Sequence, residues 1–181
     1  RARLRQTIRQ AARCALDEEG IDPVWEYAHD ADTYVRKACY EALSRIARDQ
    51  RSALPSLLRV ADAMYGSDDD LVRQTAVYVW GEVGRWDFAS AVSGLERALD
   101  DPSKAVHRAV TGALKRAGER SPEEALSFAS ERIDHPDPRV RRELVHGLEL
   151  WGRTHPGDVL PLIEHLLDDP DAKVRKTLVH V

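Results

Sequence analysis

HPDPRVRRELVHGLELWG, residues 135–152, is the stretch whose reading decides the fold. It opens on a turn punctuated by Pro136 and Pro138 and places Arg139, Arg141 and Arg142 within four residues. It then runs through Leu144, Gly147, Leu148 and Trp151, which share one face of a helix. The arginines are either a grip for an anion or parts of a structural brick. The same order of features recurs along the chain. A valine preceding a basic residue stands at Val35, Val72, Val106, Val140 and Val174, at intervals of 37, 34, 34 and 34 residues. Repetition at such a period is the signature of a repeat architecture.

Four, seven, eight and eleven residues after each valine the chain is mostly apolar. The sets are Cys39, Ala42, Leu43, Ile46; Ala76, Val79, Trp80, Val83; Val110, Ala113, Leu114, Ala117; Leu144, Gly147, Leu148, Trp151; and Leu178, Val181. These offsets predict one helix per repeat, over about residues 33–48, 70–83, 104–117, 139–151 and 172–181. A further one over 3–16 would turn Leu4, Ile8, Ala11, Ala12 and Ala15 inward. Gly84, Gly118 and Gly152 stand twelve residues after three of the valines, where glycine can end a helix in the left-handed conformation. A companion helix precedes each valine: Ser52 to Tyr65, Ala91 to Leu99, Ala125 to Ile133, Val159 to Leu167, and a short version over Gly20 to Ala28. Ser121-Pro122-Glu123-Glu124 reads as a start signal with a serine cap. The acidic runs Asp68-Asp69-Asp70, Asp100-Asp101 and Asp168-Asp169 read as helix caps.

A helix pair cannot bury its apolar face alone, so neighbours must stack into a continuous core. The fold class expected is all-α, a right-handed α-solenoid of antiparallel helix pairs, with residues 1–181 as a single array. The acidic turn, the Val-Arg pair and the small and apolar residues after it resemble the HEAT repeat family. The best copies are DDPSKAVHRAVTGALKRAG, HPDPRVRRELVHGLELWG and DDPDAKVRKTLVHV. The resemblance implies a curved interaction surface and specifies no chemistry.

Bulk properties narrow the function. The chain has 181 residues, 43% apolar and 32% charged, with a formal net charge of −4 and a pI near 6.0. Such a balance does not mark a dedicated nucleic-acid binder, though a net value can hide a local basic face. Cys14 and Cys39 have no metal-binding spacing and fit a reduced, cytoplasmic protein. No apolar run approaches a membrane span and no signal peptide is evident. The first residue is not methionine and the last falls within a pattern, which reads as part of a longer array.

With the valine at zero and about 100° per residue, the next residue lies at the edge of the core. That row is Arg36, Arg73, His107, Arg141, Arg175; in HEAT repeats such an arginine pairs with aspartates of the turns, here Asp30, Asp32, Asp69, Asp101, Asp137, Asp169 or Asp171. The arginines are therefore expected to form a structural ladder. The row two after the valine, Lys37, Gln74, Arg108, Arg142, Lys176, faces away from the core and would line the concave wall. It is the candidate anion- or partner-binding row, with Tyr78 and His146 from the row of Glu41, Tyr78, Gly112, His146, His180.

Catalytic signatures are missing. The chain has no phosphate-cradling glycine loop, no HExxH and no paired CxxC, and two histidines, His146 and His180, do not make a zinc site. No cofactor and no metal are expected. Trp86-Asp87-Phe88-Ala89-Ser90 resembles the W-D-x-x-D stretch of the HEAT-like alkylpurine DNA glycosylases of the DNA alkylation repair family, with Ser90 where the second aspartate belongs. The expectation is a non-catalytic scaffold whose partner is a protein or peptide, using Tyr78, His146, Glu149 and the basic row. The alternative is DNA binding through Lys37, Arg73, Arg108, Arg142 and Lys176, and, if the chain is an enzyme, glycosylase-like chemistry.

Overall fold

The computed structural model describes residues 2–180, with the side chain of His180 excepted. Val181 and the His180 side chain therefore lie outside the described residues. Among these there are twelve α-helices and no strand. The helices that carry the repeated valines, or align with them, are α1 (Ala2–Glu18), α3 (Thr33–Asp49), α5 (Asp70–Gly84), α7 (Lys104–Gly118), α9 (Pro138–Gly147) and α12 (Ala172–Thr177). Their companions are α2 (Trp25–Ala28), α4 (Leu54–Tyr65), α6 (Phe88–Leu99), α8 (Pro122–Glu131) and α11 (Pro156–His165), with α10 (Glu149–Thr154) between α9 and α11. Among the described residues no helix is long and apolar enough to cross a membrane.

The molecule is an α-solenoid. Each valine-bearing helix lies against the next, α1 on α3, α3 on α5, α5 on α7, α7 on α9 and α9 on α12. Among the companions α6 and α8 touch more sparsely. A stack that is close on one row and splayed on the other curves with the close row inward, so the valine-bearing helices form the inner wall. The buried apolar residues make one continuous cluster from Ile8 to Leu178.

The inner wall is closest between α5 and α7, because small residues meet there. A Cβ on Gly81 would lie 2.6 Å from the Cα of Ala113, and one on Gly84 would lie 3.1 Å from the Cβ of Ala117. Gly94 of α6 gives its missing side chain's space to the ring of Trp80, which is fully buried.

Five expectations change. No glycine among the described residues has a positive φ. Gly84 and Gly118 end their helices in right-handed geometry; the small size of Gly84 serves packing, whereas a Cβ on Gly118 would lie 3.9 Å from that of Ala125, an ordinary contact. The helix expected over 139–151 breaks at Leu148, and Gly152 lies inside α10, which runs on to Thr154. Ser121 makes no side-chain cap, so Pro122 alone marks the start of α8. The caps of the valine-bearing helices are Asp32, Asp69, Ser103, Asp137 and Asp171; Asp101 and Asp169 sit two residues before Ser103 and Asp171 and act in the turn itself. Leu4 of α1 is exposed, with the buried stripe of that helix starting at Ile8; Leu160 and Leu167 are exposed because the buried stripe of α11 is rotated onto Val159 and followed by Leu166. Cys14 is half-buried and Cys39 is fully buried.

Candidate functional site

The turn that precedes each inner helix is built the same way five times. Six residues before the ladder residue stands Asp30, Ser67, Asp101, His135 or Asp169, whose side chain accepts from the backbone N–H two residues on. Its backbone carbonyl meets the ladder residue of the same repeat: Arg36, Arg73, His107, Arg141 or Arg175. That carbonyl would otherwise be left unpaired at a helix-to-helix turn, and a guanidinium satisfies it at the core's edge.

Some ladder residues also reach the next repeat, 28 residues on. Arg73 Nε donates to Asp101 Oδ2 at 2.9 Å, and Arg141 donates to Asp169 through Nε at 2.7 Å and Nη2 at 2.8 Å. Asp101 and Asp169 are almost fully buried. Hydrogen bonding to Arg141 holds the Asp169 carboxyl below the usual carboxylate range. The third repeat departs at both ends of this contact: His107 replaces the arginine and His135 the aspartate. In the first repeat the equivalent partner is Ser67, and Arg36 Nη2 donates instead to Gln74 Oε1 at 3.0 Å.

The row two after the valine is not uniform. Lys37 is exposed and lies 3.7 Å from Glu41. Gln74 is held between Arg36 and the Ala105 carbonyl, to which it donates at 3.0 Å, and so works between repeats. Arg108 and Lys176 are exposed, while Arg142 is half-buried with its Nε enclosed and without a hydrogen-bond partner. Tyr78 stacks on Tyr40 with 5.1 Å between ring centroids, and its ring fills the space a side chain on Gly112 would need. Burial holds His146 below the usual histidine pKa, so its ring is neutral at pH 7.

Rows further along the inner helices bring together charges that the reading of the first rows missed. Ten residues after the valine stand Arg45, Glu82 and Arg116; thirteen after stand Arg48, Arg85 and Glu119. Arg116 pairs with Glu82 and donates to the Tyr40 hydroxyl at 2.8 Å; Lys115 reaches Glu149 at 2.7 Å. Arg85 joins Glu82 at 3.1 Å and Glu119 at 3.0 Å. The 34-residue period applied to these later rows would have revealed the alternation of sign.

Where α3, α5 and the turn after α7 end, a cleft of about 230 Å³ opens. It is lined by Arg45, Arg48, Arg85, Arg120, Ser44 and Trp86, with Glu41 and Glu82 at its wall. Trp86 carries the Arg51 guanidinium over its ring at 4.0 Å. The adjoining Asp87 caps α6 by accepting from the Ser90 N–H at 3.2 Å, so that carboxylate has a structural task. Among the described residues no group of three or more His, Cys, Asp or Glu side chains is placed to hold a metal ion.

With the turns, ladder and inner wall described, the comparisons with known proteins fall into place. Residues 61–149 match the family described as HEAT repeats. That match covers just under half of the chain. The HEAT array resembles the crystal structure of AlkD2 from Streptococcus mutans with a TM-score of 0.60 and 18% identity, covering 94% of this chain and 79% of that one. A designed armadillo repeat protein in complex with the peptide (KR)4 matches with a TM-score of 0.43 and 18% identity, covering 97% of this chain and 89% of that one. No curated protein sequence matches. At these identities the likeness speaks to the fold.

Proposed function

We propose that this HEAT array is a non-catalytic, cytoplasmic scaffold that holds a partner protein or an extended peptide against its inner wall. One observation carries the reading: several cations of that wall are answered by carboxylates of the same or the neighbouring repeat. Lys37 faces Glu41, Lys115 faces Glu149, Arg116 faces Glu82, and Arg85 faces Glu82 and Glu119. A wall of alternating sign favours a partner of mixed charge. A polyanion such as DNA gains affinity by replacing counterions on unpaired cations, and here much of that role is already taken. Tyr78, partly exposed above the buried Tyr40 on which it stacks, adds an aromatic residue of the kind enriched in protein interfaces.

The test uses exposed positions, since Arg142 is too enclosed for a clean charge reversal. Arg108→Glu with Lys176→Glu should leave the melting temperature unchanged and abolish capture of the partner that the wild-type chain retains from native extract. A fluorescent DNA duplex should bind weakly at low salt and show little change at higher salt. Tight duplex binding that falls steeply with salt, and is lost in the same double variant, would replace the scaffold reading with nucleic-acid binding.

A further inference from the structure

The helices α7 and α9 begin to close on each other as α5 and α7 do. A Cβ on Gly147 would lie 2.8 Å from the side chain of Leu114. The approach then stops, because α9 breaks at Leu148 and α10 carries the chain on with only sparse contact to α7. Gly84 and Gly118 stand at the same repeat position and show the difference. A Cβ on Gly84 would meet Ala117 of the next inner helix at 3.1 Å, whereas one on Gly118 would meet only Ala125 of the companion α8, at 3.9 Å. The room that closes between α5 and α7 stays open here as a cleft of about 190 Å³. Its wall is mostly apolar and includes Leu114, Gly118, Ala125, Leu148, Leu150 and Trp151. Leu150 is 48% exposed. Trp151 donates its indole N–H to Asp158 at 3.1 Å and stacks on His155 with 3.6 Å between ring centroids, so the surface it has left is hydrocarbon. The two charged residues of the lining are both paired, Lys115 with Glu149 and Glu119 with Arg85.

We propose that this cleft seats one phenylalanine side chain of a partner peptide of mixed charge, an inference that rests on the scaffold reading and gives that partner its anchor. Size selects the group. A cavity of about 150 Å³ holds a benzene molecule, while pockets for whole small ligands start near about 300 Å³. The lining selects an apolar group over an ion, since both of its charges are already answered. The surroundings select a peptide over a free hydrocarbon. An apolar floor beside ion pairs of both signs has the anatomy of an interface anchor, a dry centre ringed by polar contacts. Those pairs, Lys115–Glu149 and Arg85–Glu119, belong to the inner wall that the scaffold reading assigns to the partner.

Two probes are titrated against the chain with ¹³C-labelled leucine methyl groups: N-acetylphenylalaninamide and the pentapeptide acetyl-Glu-Lys-Phe-Glu-Lys-amide. Both should shift Leu114, Leu148 and Leu150 saturably and leave the buried Leu57 of α4 in place, with the pentapeptide at least about tenfold tighter. The same pentapeptide with alanine for phenylalanine should give no shift. Gly118→Leu fills the cleft from its wall. The backbone there has no positive φ and the added Cβ has room, so the melting temperature should hold or rise while both probes lose binding, a combination that damage to the fold would not give. Leu150→Asp, at an exposed position, should give the same loss of binding and serves if Gly118→Leu does not fold. No saturable shift, equal binding of the alanine peptide, or unchanged affinity in both variants would overturn the proposal. So would toluene binding more tightly than the pentapeptide, or self-association in sedimentation that Gly118→Leu abolishes, which would put a second copy in the cleft. Arg108 and Lys176 do not line the cleft, so the scaffold reading is tested separately by their charge reversal and survives the loss of this anchor.

Discussion

Asp101 and Asp169 each serve two repeats at once. One carboxylate fixes the turn it belongs to, by accepting from the backbone two residues on, and receives the arginine of the preceding repeat. A charge buried in this way depends on its partner, and removing one member leaves the other stranded. Asp169→Ala should therefore lower stability by roughly 3 kcal/mol, read by urea denaturation. The sign of the pH dependence follows from the depressed Asp169 pKa. Its contribution is fully present above the unfolded carboxylate value of about 3.9 and is lost as pH falls through the folded value. The gap between wild type and Asp169→Ala should thus be widest near neutrality and narrow below about pH 4. The two thiols make a second contrast. Burial pushes the Cys39 pKa up to about 12, while Cys14 is half-buried on α1. Iodoacetamide on the native protein should label Cys14 and spare Cys39 until denaturant is added, as peptide mapping would show.

At the level of single helices, α5 and α7 show what a missing side chain does. Gly81→Ala would place a methyl group 2.6 Å from the Ala113 backbone, which no rotamer change relieves. The helices would have to separate, at a cost of about 2–3 kcal/mol in thermal or urea unfolding. This contact also marks the limit of sequence reasoning. The positions of the inner helices followed from valine spacing, since apolar periodicity reports which face is buried. The break of α9 at Leu148 did not, because Leu144, Gly147, Leu148 and Trp151 fit an uninterrupted helix equally well. The glycines were read as stops because they follow each apolar run; their role in close approach depends on which residue of the neighbour faces them. Among the candidate site residues, the ladder arginines were legible from their offset to the core edge. The clefts were not, because the lining of one comes from three repeats and the other opens only where α9 breaks.

Across the whole array the charged strut is present at two joints and absent at two, since Ser67 stands opposite Arg36, which turns to Gln74 instead. Arg73 reaches Asp101 and Arg141 reaches Asp169, but His107 would have to reach His135. The two departures are coupled, since a lone arginine or a lone aspartate there would lack its counterpart. His107→Arg and His135→Asp should each be neutral or destabilising alone. Together they should recover a favourable coupling of about 1 kcal/mol, measured by melting all four members of a double-mutant cycle. Additive changes would mean that the two positions do not meet.

That interrupted joint has a consequence for how the stack is held together. The charged struts at Arg73–Asp101 and Arg141–Asp169 brace the segments on either side, and the seam between them is held by apolar packing, by Thr111 on Glu143 and by Lys115 on Glu149 at 2.7 Å. What that seam lacks is a buried arginine–aspartate pair at its turn, so a substitution that strands a buried charge acts on the joints to either side of it and not on the seam itself.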